Sequence, residues 1–207
     1  MNNDLFRKPH LLMQFRWRYW LVPLVITALC VVLSLGGDAA RDWGRYDRAA
    51  LEAGQVWRLV TAHLVHLGWG HLWPNVLALL LIGGLVEEFL GPLEWVVATV
   101  GAALGIDLGL YALDPSVAWY VGLSGVLHGL VACGALMMLQ ARHFQVGAVL
   151  AVGVALKLVF ESTHGPIPFT QASAGGPVIV AAHLYGAASG ALAAIAFGFL
   201  RRRAARL

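Results

Sequence analysis

Six apolar runs, at residues 20–35, 71–86, 93–113, 123–140, 145–160 and 178–200, constrain this sequence more than any other feature. An α-helix rises 1.5 Å per residue, so runs of this length cover most or all of a hydrocarbon core about 30 Å thick. Of the 207 residues, 59% are hydrophobic and 12% charged, which is more apolar surface than a soluble domain of this size buries. The expected fold class is therefore all-α: a polytopic membrane protein built as a bundle of six transmembrane helices, with an interfacial first outer loop. A net charge of +3 raises the question of nucleic acid, but the basic residues gather at the two ends rather than on a patch interleaved with aromatics. The lipid bilayer, not nucleic acid, is the expected partner.

Three parts are delimited: a basic N-terminal segment 1–19, a membrane domain 20–200 containing an outer loop 36–70, and a basic tail 201–207. A signal peptide is the competing reading of the first run. The basic lead is long and Leu33-Ser34-Leu35 is no small-residue cleavage site, though Ala39-Ala40 keeps that option open, and the first helix is expected to be retained. Trp17, Tyr19 and Trp20 then fall at headgroup level. Six crossings put both termini on one side. Arg7, Lys8, Arg16 and Arg18 at one end and Arg201, Arg202, Arg203 and Arg206 at the other make that side the cytoplasm, together with Arg142 and His143. Residues 36–70 mix charges with Trp43, Tyr46, Trp57 and Trp69, which reads as short helices lying at the interface. Residues 161–177, with three prolines and Gly175-Gly176, read as an outer loop covering the Ser124 side. Cys30 and Cys133 lie in apolar runs and are expected to behave as small hydrophobes.

The residues that look most like chemistry are Gly122-Leu123-Ser124-Gly125-Val126-Leu127-His128-Gly129, where a hydroxyl opens an apolar run, and Ala182-His183-Leu184-Tyr185-Gly186 some 60 residues on. A serine hydroxyl needs an adjacent base, most often histidine, and its target carbonyl needs donors for the developing charge. Ser124 at a helix N-terminus adds unpaired N–H groups and the positive end of the helix dipole. The bland alternative is that Ser and Gly here only pack helices together. His183 is harder to set aside, because ionisable groups within a membrane are costly and face a bundle interior. Gly186 and Gly190 share its face and admit a close neighbour, so either a base or a neutral interhelical hydrogen bond fits. His66, His71 and Asn75 form a third polar group. They lack a carboxylate or thiolate and no His-Glu-x-x-His pattern exists, which favours donors to an oxyanion over metal ligands.

With these residues in place, the chain from about residue 55 to 190 resembles the rhomboid family of intramembrane serine proteases. The points of match are Trp57-Arg58, His66-x4-His71-x3-Asn75, Gly83-Gly84-x-x-Glu87 with Gly91, Gly122-x-Ser124-Gly125, and Ala182-His183-x-x-Gly186-x3-Gly190. The resemblance implies a six-helix core, Ser124 as nucleophile and His183 as general base. It places His71 and Asn75, with Gly122 beside them, on the oxyanion and substrate side, and gives Trp57-Arg58 and Glu87 structural roles. It implies neither metal nor organic cofactor, and single-pass membrane proteins as substrates. The location it implies is a bacterial inner membrane, with the termini cytoplasmic and the active site towards the periplasm.

One departure is informative. Rhomboids commonly carry a tyrosine four residues after the serine, and this chain has His128. The string is similar to the rhombosortase branch, whose proposed substrates end in Gly-Gly, a membrane helix and a basic tail. His128 shares the face of Ser124 and is expected to support the catalytic pair by stacking on His183 or by proximity, with a role as the base left open; His66 is a second supporting residue. Three further sites have bland readings beside functional ones. Asp107 is a proton path or a satisfied polar contact, Lys157 and Glu161 are a snorkelling lysine with its partner, and His164 is a substrate contact or merely exposed. Two rivals stand: a catalytically silent rhomboid-like protein that escorts membrane helices, which typically lacks the serine or histidine kept here, and a small transporter, disfavoured by the lack of inverted repeats.

Overall fold

A computed structural model describes residues 17–206, apart from the Phe169 side chain. Arg7, Lys8 and Arg16, on which part of the topological expectation rests, lie outside the described residues. The chain forms α1 (Trp17–Leu35), α2 (Gly37–Gly44), β1 (Tyr46–Asp47), α3 (Arg48–Glu52), α4 (Arg58–Thr61), α5 (Trp69–Val86), α6 (Pro92–Ala112), β2 (Trp119–Tyr120), α7 (Ser124–Gln140), α8 (Phe144–His164), α9 (Pro168–Ala174) and α10 (Val180–Ala204). Five of these, α1, α5, α6, α8 and α10, are long and apolar enough to cross a membrane. The sixth long helix, α7, has 17 residues and lies at the centre of the bundle, with ten of its residues buried. At 1.5 Å per residue it spans about 25 Å, less than a hydrocarbon core of about 30 Å. Its ends therefore cannot reach both headgroup layers.

The centre is built on glycine. Gly125 and Gly129 of α7 face Gly186 and Gly190 of α10, and a Cβ at Gly186 or Gly190 would run into the carbonyl oxygens of Gly125 and Gly129 respectively. In the other direction, a Cβ at Gly125 would lie 2.8 Å from the Ala182 carbonyl oxygen and one at Gly129 2.8 Å from that of Gly186. Small residues four apart on both helices thus let the two backbones touch, the arrangement that drives helix association where water is absent. Leu130, Leu79, Trp95 and Ile106, all fully buried, fill the remaining interior.

Residues 36–70 hold the short helices α2, α3 and α4 expected of an interfacial connection. β1 pairs antiparallel with β2, Tyr46 opposite Tyr120 and Asp47 opposite Trp119, a ladder too short to leave any alternation in the sequence. Arg58 is buried and donates to the Asp42 and Arg45 carbonyls at 2.9 and 2.8 Å, while Trp57 stacks on Trp43. Glu87 accepts from the Trp20 indole N–H at 2.9 Å, fastening α1 to α5.

One expectation needs correcting. Residues 161–177 are not a plain loop: α8 continues to His164, and α9 follows with Pro168 in its first turn and Gly175 as its left-handed cap at φ 72°. Pro at the start and Gly at the end are helix boundary signals, here compressed into a short segment. Pro74 sits in the second turn of α5, which begins at Trp69. Of the two readings of Asp107, a polar contact is the one present: it is buried and lies 3.3 Å from His63 Nε2, a partner that 43 intervening positions concealed.

Candidate active site

The starts of α5, α7 and α10 and the end of α8 meet at one end of the bundle, as alternate crossings require. Ser124 is the first residue of α7 and His183 lies in the first turn of α10. With the two backbones in contact at their glycines, His183 Nε2 and Ser124 Oγ are 3.0 Å apart. His183 is 1% exposed.

The other nitrogen of that ring meets a residue outside the expected constellation. Glu161, 2% exposed on the last turn of α8, places Oε2 2.7 Å from His183 Nδ1, and its Oε1 lies 2.5 Å from Lys157 Nζ. A carboxylate beside an ammonium accepts and does not donate, so the imidazole proton sits on Nδ1. The Nε2 lone pair then faces Ser124, whose O–H donates to it. The expected Lys157–Glu161 pair is present, but its carboxylate turns inward. The available signal was the cost of an ionised group in an apolar run; which helix it met was not encoded in spacing.

His128 stacks on His183, with ring centroids 4.1 Å apart and planes 15° from parallel, and its Nδ1–H donates to the Ser124 carbonyl at 2.7 Å. Of the two imidazoles, it is His183 whose nitrogen meets the hydroxyl. Ligand atoms of His128, Glu161 and His183 fall within 4.8 Å of one another. A tetrahedral zinc would hold a nitrogen and an oxygen ligand about 3.4 Å apart, whereas the Glu161–His183 contact is 2.7 Å and lies along a hydrogen bond.

The donors gather opposite. The Leu67 N–H approaches His71 Nδ1 at 3.4 Å, so the His71 proton lies on Nε2. Asn75 Nδ2 donates one hydrogen to the His71 carbonyl at 2.7 Å and keeps the second. Gly122 makes room for that imidazole: its φ is +112°, and a Cβ there would lie 2.7 Å from His71 Cε1. Its turn is tied down by Gly122 N–H to the Ala62 carbonyl at 2.8 Å and by the Tyr120 hydroxyl to the Gly122 carbonyl at 2.5 Å. Burial pushes the Tyr120 phenol above its ordinary range, so it stays a donor. The Ser124 N–H, at the start of α7, belongs to the turn that has no intrahelical acceptor.

Ser124, His128, His183, His71 and Asn75 line one cavity of about 410 Å³, whose apolar wall runs between α5 (Ala78, Ile82) and α8 (Leu150, Gly153, Val154), under Thr170 and Ser173 of α9. His66 does not reach it. That ring lies edge-on to His71 at 5.0 Å and borders a separate space near Arg41. His164 packs on Phe160 at the exposed end of α8, away from the cavity.

The model of the Rhomboid domain matches residues 53–199. YdcA of Bacillus subtilis (strain 168), provisionally named a rhomboid protease, is 32% identical over 77 residues, covering 37% of this chain and 39% of that protein. The rhomboid proteases GlpG of Salmonella paratyphi A and Salmonella typhi are each 32% identical over 114 residues, covering 54% of this chain and 40% of theirs. These matches span about two fifths of the length of the curated relatives.

Proposed function

The chain belongs to the Rhomboid family, and from that premise we propose that it is an intramembrane serine endopeptidase that cuts membrane-anchored proteins near the outer face of its membrane. The observation that carries this is the 3.0 Å approach of Ser124 Oγ to His183 Nε2 at the wall of a cavity that also holds the free N–H groups of His71 and Asn75. Ser124 Oγ attacks the scissile carbonyl while its proton passes to His183 Nε2. The oxyanion is held by the Ser124 N–H, His71 Nε2–H and Asn75 Nδ2–H. The imidazolium then gives its proton to the leaving amine, and water, activated by the same ring, resolves the acyl-enzyme.

The proposed substrates are single-pass membrane proteins whose C-terminal tail is Gly-Gly, a membrane helix and basic residues, as proposed for rhombosortases; the cavity's apolar wall and the Gly-Leu-Ser-Gly-Val-Leu-His-Gly string support this reading. The placement that goes with it is a bacterial inner membrane, with termini cytoplasmic and the Ser124 end of α7 towards the periplasm. The test is a fluorophosphonate probe on the protein in detergent or lipid. Labelling that is lost in Ser124→Ala supports the enzyme. Absence of labelling, with the fold intact, would mark a silent helix-binding protein. Cleavage of a Gly-Gly-tailed reporter, but not of one with both glycines replaced by leucine, supports the finer substrate class.

A further inference from the structure

Glu161 is a buried carboxylate at one end of the bundle with no structural task that an apolar residue would not perform at lower cost. An ionised carboxylate out of water loses several kcal/mol of solvation, and near the end of an apolar helix leucine or methionine would fill the space. The side chain is instead held by two contacts of opposite kind. Lys157 Nζ, one turn earlier on α8, lies 2.5 Å from Oε1, and His183 Nδ1 lies 2.7 Å from Oε2. Lys157 lines the cavity with His183 and is partly exposed, while the Glu161 carboxylate lies behind them, sealed from solvent. Lys157, Glu161, His183 and Ser124 therefore form one line of hydrogen bonds from α8 through α10 to α7.

We infer that Glu161 is a positioning residue, held ionised by Lys157, which makes the site a Ser–His–Glu triad rather than a pair. This rests on the serine endopeptidase reading. During attack the Ser124 proton moves to His183 Nε2, the Nδ1–H stays on the imidazole, and the carboxylate stays ionised and faces the new positive charge. The carboxylate does two things: it fixes the tautomer that leaves Nε2 free to accept, and it stabilises the imidazolium formed as the serine oxygen becomes bonded to carbon. Lys157 sets the direction. Because an ammonium only donates, whatever occupies position 161 must turn an oxygen towards it.

That last point supplies the test. In Glu161→Gln the Lys157 ammonium holds the amide oxygen, so the amide NH2 is turned to His183 Nδ1. The imidazole proton is then forced to Nε2, where it blocks acceptance from Ser124. Removing the ammonium in Lys157→Met/Glu161→Gln frees the amide to turn over and present its oxygen to Nδ1. The measurement is inactivation by a fluorophosphonate, resolved into its maximal rate and half-saturating concentration, with the melting temperature in detergent recorded for each variant. Glu161→Gln is expected to lower the maximal rate by roughly 10²- to 10⁴-fold, the scale of placing a wrong tautomer in a triad, with half-saturation unchanged. The double variant is expected to recover at least about tenfold of that loss. A Glu161→Gln rate within twofold of wild type, or a double variant no faster than the single one, would overturn the inference. Should Glu161→Gln fail to fold, Glu161→Asp decides, since it keeps the charge but withdraws it from Nδ1: a wild-type rate overturns the inference and a loss of tenfold or more supports it. A wild-type protein that is folded and unlabelled overturns the protease reading itself, an outcome distinct from labelled wild type with an indifferent position 161.

Discussion

The imidazoles of His128 and His183 lie face to face, 15° from parallel with centroids 4.1 Å apart. His128 is itself fixed, because its Nδ1–H is bonded to the Ser124 carbonyl one turn back on α7. It therefore forms a flat wall that restrains rotation of the His183 ring, and the restraint comes from a planar surface rather than from basicity. An aromatic pair contributes about 0.5–1.5 kcal/mol beyond its buried area. His128→Ala is expected to slow fluorophosphonate labelling roughly 2- to 10-fold on that scale, and His128→Phe by less. A loss in His128→Ala as complete as in His183→Ala would instead make His128 the proton acceptor.

The glycine faces carry the geometry of the site. A Cβ at Gly186 meets the Gly125 carbonyl oxygen, which is backbone and cannot swing aside. Gly186→Val must push α10 away from α7, and Ser124 and His183 sit on those two helices within one turn of the contact. Overpacking of this kind costs about 1–3 kcal/mol, and a displacement of about 1 Å at a reacting pair costs around 10²-fold in rate. The expected outcome is a lower melting temperature with labelling reduced about 10²-fold. Gly101→Val, at an α6 position away from the cavity where an added Cβ meets nothing within 4 Å, provides the comparison for a valine that displaces no helix.

Much of the architecture was legible in the sequence because the membrane imposes length. The six apolar runs correspond to α1, α5, α6, α7, α8 and α10, displaced by a few residues at most ends. Ser124 and His183 stood out because a hydroxyl and an imidazole are rare in such surroundings and glycines flanked both. Glu161 did not, since its spacing to Lys157 satisfies a surface ion pair and nothing in a one-dimensional pattern says that the end of α8 faces the start of α10. His63 went unread for the same reason: its partner Asp107 is on α6 and their meeting is tertiary. α9 was hidden by its own boundary residues, whose Pro and Gly weigh towards a loop when fewer than two turns lie between them.

Asn75 and His71 hold their free N–H groups at the cavity on different ties. Asn75 is anchored to the His71 carbonyl at 2.7 Å, and His71 by the Leu67 N–H and by the missing Cβ at Gly122. Donors aimed at a charge that exists only in the transition state affect turnover, not substrate binding. Asn75→Ala is expected to lower kcat on a Gly-Gly-tailed transmembrane peptide by roughly 10²- to 10³-fold with KM little changed. Gly122→Ala, which drives a methyl into the His71 ring and strains a backbone at φ +112°, is expected to lower both kcat and the melting temperature. A normal kcat in Asn75→Ala would remove that side chain from the oxyanion site.

His66 lies beside the site, in the connection before α5 and edge-on to His71, and its burial makes the region sensitive to acid. Burial, with the neighbouring His71 as a smaller cause, pushes its pKa down to about 3, below an unfolded value of about 6.5. The unfolded chain therefore takes up this proton first as pH falls. The contribution of a neutral His66 to stability is fully present above pH ~6.5 and is lost progressively as pH falls from there towards 3, with a slope of at most about 1.4 kcal/mol per pH unit. His66→Gln keeps a polar side chain of similar size, able to donate to the Leu64 carbonyl that His66 Nδ1 approaches at 3.2 Å, and cannot titrate. Melting temperatures measured in detergent from pH 8 to pH 4 are expected to fall less steeply below pH ~6.5 in His66→Gln than in the parent. Parallel curves for the two proteins would show that this histidine is charged, or free to become so, in the folded state.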